Sequence, residues 1–133
     1  MKRYLIALSV PLTITVLNAL IYPFLREQIP PDTAVVVMNM LRILSVVAAG
    51  WIIVIRKLGG LPMAGFAGVI LMVIDYPLIS GARHLLAGQT PVFLNVLASF
   101  GVSFWIPLML GVLGGLAARR KLKISALHET TAE

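Results

Sequence analysis

Four long apolar stretches alternate with short polar ones: Tyr4–Leu25, Ala34–Ile55, Leu61–Ser80 and Val92–Ala117. Each reaches the ~20 residues that a helix needs to cross ~30 Å of hydrocarbon. The second stretch is rich in Val and Ile, a strand-like composition. Its length argues for a helix, which satisfies its own backbone hydrogen bonds in lipid. The polar segment 26–33 holds Pro30-Pro31, which stops the first helix and leaves Asp32 or Thr33 to cap the second. The next, 56–60, ends on Gly59-Gly60, a pair that permits a tight reversal. Connections this short make consecutive helices antiparallel neighbours. A longer connection spans 81–91. The predicted fold is an all-α membrane protein, an antiparallel bundle of four transmembrane helices over residues 1–118, followed by a basic tail at 119–133.

Composition supports the class. Apolar residues make up 59% and charged residues 12%, against roughly 45–50% and about 25% in ordinary globular chains. The mean hydropathy is +0.99. The chain has no cysteine, which excludes a disulfide framework, a thiolate metal site and a cysteine nucleophile.

Charge adds direction. The net charge is +6 and the pI about 10.4. Lys2, Arg3, Arg56, Lys57, Arg119, Arg120, Lys121 and Lys123 fall on one side of the predicted bundle, and Arg26 and Arg83 on the other. The Lys/Arg-rich side is the cytoplasmic one, so both termini are expected inside. The expected location is the cell membrane, in a bacterium the cytoplasmic membrane, crossed several times. The basic pI is then a topology signal, and nucleic acid is not an expected partner. Arg119, Arg120, Lys121 and Lys123 would attract anionic lipid at about 1 kcal/mol each. The first apolar run exceeds the 7–15 residues typical of a signal-peptide core and is read as a retained helix.

Two charges lie inside spans: Arg42 in the second and Asp75 in the third. Counting helical rise from the outer end of each span puts Arg42 ~12 Å deep and Asp75 ~7–8 Å deep. A long Arg side chain can cover that difference, so an Arg42–Asp75 ion pair is predicted. Asn18, Asn39 and Asn95 share the outer half of the bundle. At 100° per residue, Pro11, Thr15, Asn18 and Tyr22 share a face of the first helix, and Ala64, Gly68, Met72 and Asp75 form a stripe on the third. Asn18, Asn39, Arg42, Asp75 and Asn95 are therefore the candidate lining of a ligand or ion pocket that opens outward. Pro77 removes a helix hydrogen bond two residues after Asp75, which predicts an irregular corner at Asp75-Tyr76-Pro77. Gly111 and Gly115 make a G-x-x-x-G, the spacing of a helix-packing or dimer face.

The chain carries no H-E-x-x-H, G-x-S-x-G or P-loop motif. No enzymatic activity, cofactor or metal is expected. Two functions remain. The first is a non-enzymatic accessory or scaffolding subunit that meets a larger membrane protein, or its own copies, through helix–helix contact. The second is a small transporter or ligand-binding membrane protein built around Arg42 and Asp75.

Overall fold

A computed structural model describes the backbone of residues 2–87 and 104–130. These residues form four helices: α1 (Lys2–Gln28), α2 (Pro31–Ile55), α3 (Leu61–Ala87) and α4 (Trp105–Thr130), with no strand among them. Arg3–Ile21 within α1 and the whole of α2 are long and apolar enough to cross a membrane, and Leu61–Asp75 of α3 is a shorter apolar run. Residues 92–103 of the fourth predicted stretch lie outside the described residues.

The helix ends follow local chemistry, with several departures from the sequence reading. α1 runs on through Arg26, Glu27 and Gln28, all good helix formers, and stops ahead of the proline pair. α2 begins at Pro31, after Pro30 at φ −52° and ψ 139°, with no side-chain capping hydrogen bond. Asp32 and Thr33 therefore do not cap it; Pro31 starts the helix by its fixed φ, and Asp32 sits in the first turn, where a negative charge suits the helix dipole. α3 passes unbroken through Pro77 and through Gly81, so the irregular corner and the loop start expected there are absent. α4 continues through the basic segment to Thr130, since Ala, Leu, Lys and Arg are strong helix formers.

The reversal between α2 and α3 is made by a lysine. The Lys57 amide donates to the Val54 carbonyl at 3.0 Å and the Leu58 amide to the Ile53 carbonyl at 2.9 Å, the paired bonds of a Schellman cap. The left-handed residue of that cap is Lys57, at φ 54°. Glycine usually takes this place because a Cβ is strained there; Gly59 and Gly60 follow it without serving as the cap.

α2 and α3 form the centre of the bundle. α1 packs on both of them and α4 on both of them, while α1 and α4 barely meet. The main core joins Val46, Ala49 and Ile53 of α2 to Ala67 and Leu71 of α3, covered by Leu8 and Leu12 of α1 and Leu110 of α4. α4 approaches the centre through glycine. A Cβ on Gly50 would overlap the Gly111 carbonyl, one on Gly111 the Ala64 carbonyl, and one on Gly114 the Val47 carbonyl. Gly115 packs on Leu61, Ala64 and Val54. The small residues thus serve packing within one chain.

The outer faces are apolar. Leu5, Ile6 and Phe24 of α1, Met40 and Leu44 of α2, Phe66 and Ile70 of α3, and Ile106, Met109 and Leu113 of α4 are all exposed. Helical stripes of large hydrophobics point outward on every helix.

Candidate functional site

Nearly two turns of α2 place Asn39, Arg42 and Ser45 in succession, because residues three apart lie on one side of a helix. Arg42 leans toward α3, where its Nε donates to Asp75 Oδ2 at 2.5 Å. This is the only ion pair among the described residues. Arg42 also donates from Nη1 to Asn39 Oδ1 at 3.4 Å. Ser45 Oγ donates to the Arg42 carbonyl at 2.9 Å. On the other side, Thr15 Oγ1 of α1 lies 3.5 Å from Ser45 Oγ and donates to the Pro11 carbonyl at 3.1 Å.

The pair is asymmetric. The Arg42 side chain is 27% exposed and that of Asp75 only 3%. A groove of about 340 Å³ between α2, α3 and α4 is lined by Asn39, Arg42, Ile43, Val46, Met72, Ile106, Pro107 and Leu110. It therefore meets the guanidinium and not the carboxylate. Its walls are aliphatic and its polar groups are at one place, the arrangement of a site that fixes a polar head and accepts an apolar body.

Among the described residues two buried acceptors have no donor: Asp75 Oδ1 and Asn18 Oδ1. A buried acceptor left unsatisfied costs about 1–3 kcal/mol. Asn18 faces α2, where its Nδ2 donates to the Met38 carbonyl at 3.4 Å; Asn39 is exposed.

Of the five residues proposed from sequence, Asn39 and Arg42 line the groove, Asp75 anchors Arg42 from behind, and Asn18 is held in the α1–α2 contact. Asn95 lies outside the described residues. The groove is mostly apolar, which the count of polar residues along the spans did not foretell. Met72, Ile106, Pro107 and Leu110 have no mark in the sequence that separates a groove wall from any other membrane-helix residue. The Thr15–Ser45 contact has a visible signal, since each lies on the polar face of its helix. No family model, curated protein or solved structure matches this chain, so its function has to be argued from this geometry.

Proposed function

We propose that the chain is a non-enzymatic, four-span protein of the cell membrane, with both termini cytoplasmic, that binds an anionic amphiphile in the groove beside Arg42. The observation that carries the ligand is the asymmetric pair: a partly exposed arginine backed by a buried carboxylate, at the polar end of an aliphatic groove. A guanidinium offers a planar fork of donors suited to carboxylate or phosphate, and Ile43, Val46, Met72, Ile106 and Leu110 suit an acyl chain. The membrane setting is supported by the stripes of exposed Leu, Ile, Phe and Met on all four helices, since patches of this kind are disfavoured in water. The distribution of Lys and Arg supports the orientation.

An accessory subunit acting through its glycine faces has less support. Gly50, Gly111, Gly114 and Gly115 are occupied by neighbours in the same chain.

The test is labelling by a photoreactive fatty acid in lipid nanodiscs, with the modified peptides mapped. The expected label is concentrated on α2 and α4 around Ile43 and Ile106. Ile43→Trp, which fills the groove from an exposed position, should remove it while the protein still elutes as a folded species. Label spread evenly over the outer faces and insensitive to Ile43→Trp would end the amphiphile reading.

A further inference from the structure

The opposite end of the bundle holds a second site of different chemistry. A cleft of about 330 Å³ lies between the start of α1 and the α2–α3 reversal, lined by Arg3, Ile6, Arg56, Lys57 and Leu58. It lies far from the first groove: Arg56 follows Arg42 by fourteen helical steps, ~21 Å of rise.

Three cations converge on this cleft, and none of them has a carboxylate within ion-pair distance among the described residues. Arg119 adds a fourth charge at the same end, since a Cβ on Gly60 would stand 3.9 Å from its Nη2. Like charges lining one cleft repel one another, and an anion seated among them relieves that repulsion. The cleft is also built. Tyr4 Oη donates to the Leu58 carbonyl at 2.6 Å, which ties the first turn of α1 to the reversal and holds Arg3 beside Arg56. Lys57 occupies the left-handed cap position at φ 54°, where glycine would be unstrained and where two glycines stand nearby in sequence. Strain retained at such a point is a pointer to function.

We infer that Arg3, Arg56 and Lys57 form a phosphate-binding cleft, whose ligand is a phosphate group carried either by a lipid headgroup or by a free anion. This goes beyond the groove at Arg42 and shares no residue with it. The lipid source rests on the membrane reading; the free-anion source does not. Basic clefts between helices at the cytoplasmic surface commonly hold phospholipid headgroups.

The experiment has two arms, both on the full chain in a phosphate-free maltoside detergent or in nanodiscs. Inorganic pyrophosphate is titrated by calorimetry, and native mass spectrometry reads co-retained anionic phospholipid. Arg56→Gln with Lys57→Gln should weaken whichever ligand binds by about 25-fold, about fivefold for each charge. Lys57→Gly supplies the folding control: it should raise the thermal midpoint by relieving the cap, yet still lose about fivefold in affinity. Neutralising Lys121 and Lys123 should leave pyrophosphate affinity unchanged. Pyrophosphate binding without lipid retention that depends on Arg56 and Lys57 assigns the free anion, and lipid retention that is lost in the Arg56→Gln/Lys57→Gln variant assigns the headgroup. Neither ligand bound, or equal binding by wild type and the Arg56→Gln/Lys57→Gln variant, overturns the cleft. Ile43→Trp, which fills the groove alone from an exposed position, should leave pyrophosphate affinity unaltered, so the two sites fail separately.

Discussion

Arg42 Nε and Asp75 Oδ2 are 2.5 Å apart across the α2–α3 contact, and among the described residues the carboxylate's other oxygen meets no donor. Among those residues the buried carboxylate is held through Oδ2. The energy of such a pair lies less in what it adds than in what its loss exposes.

Removing one partner should accordingly be worse than removing both. Arg42→Met or Asp75→Leu alone should cost about 3–5 kcal/mol, and the double variant should recover most of that loss. Denaturant unfolding in mixed micelles measures all four members of the cycle. Additive losses would show that the two side chains act independently.

Asn18 should respond in the opposite direction. Among the described residues its Oδ1 is buried without a donor, and its hydrogen bond to the Met38 carbonyl is long at 3.4 Å. Asn18→Leu has a similar size and removes the orphaned acceptor, so stability should rise by about 1 kcal/mol. A fall in the same unfolding assay would mean that a water or ligand serves this oxygen in the bilayer.

The glycines that seat α4 should be intolerant of a single methyl group. Gly50→Ala, Gly111→Ala and Gly114→Ala each drive a Cβ into a neighbouring backbone carbonyl, and overpacking of this kind costs about 1–3 kcal/mol. Gly60→Ala meets nothing nearer than the Pro62 Cδ at 3.6 Å and should leave the thermal midpoint within a degree or so of wild type. Equal tolerance at all four positions would place α4 elsewhere.

Topology can be read without first removing any native thiol, because the chain has no cysteine. In intact cells, a membrane-impermeant maleimide should label Gln28→Cys and Thr33→Cys. It should reach Arg56→Cys and Ser125→Cys only after the membrane is opened. The reverse pattern would invert the proposed orientation.

Residue pattern alone accounts for the helices and for their buried faces. Apolar runs with Pro30-Pro31 and Gly59-Gly60 between them mark both ends of α1 and α2 and the start of α3 to within a few residues, while α3 runs on to Ala87, past the end expected at Ser80. Counting by 100° puts Pro11, Thr15, Asn18 and Tyr22 on one side of α1 and Ala64, Gly68, Met72 and Asp75 on one side of α3; the Tyr22 side chain lies outside the described residues, and the other seven are buried. These features are local: they depend on helical period and on which residues break it. The meeting of Arg42 with Asp75 was also legible, because two charges at similar depth on adjacent antiparallel helices have few other places to go.

Packing settled the rest. Asn18 and Asn39 look alike along the chain, yet one is sealed against Met38 and the other is exposed, because helix rotation is set by all neighbours at once. Gly111 and Gly115 carry a dimer spacing, and their partners proved to be Ala64, Leu61 and Val54 of the same chain, since two helices already flank α4. Arg3 came beside Arg56 through the hydrogen bond of Tyr4 to the Leu58 carbonyl, between residues more than fifty positions apart. No local rule contains that information; it exists only where α1 closes on the α2–α3 turn.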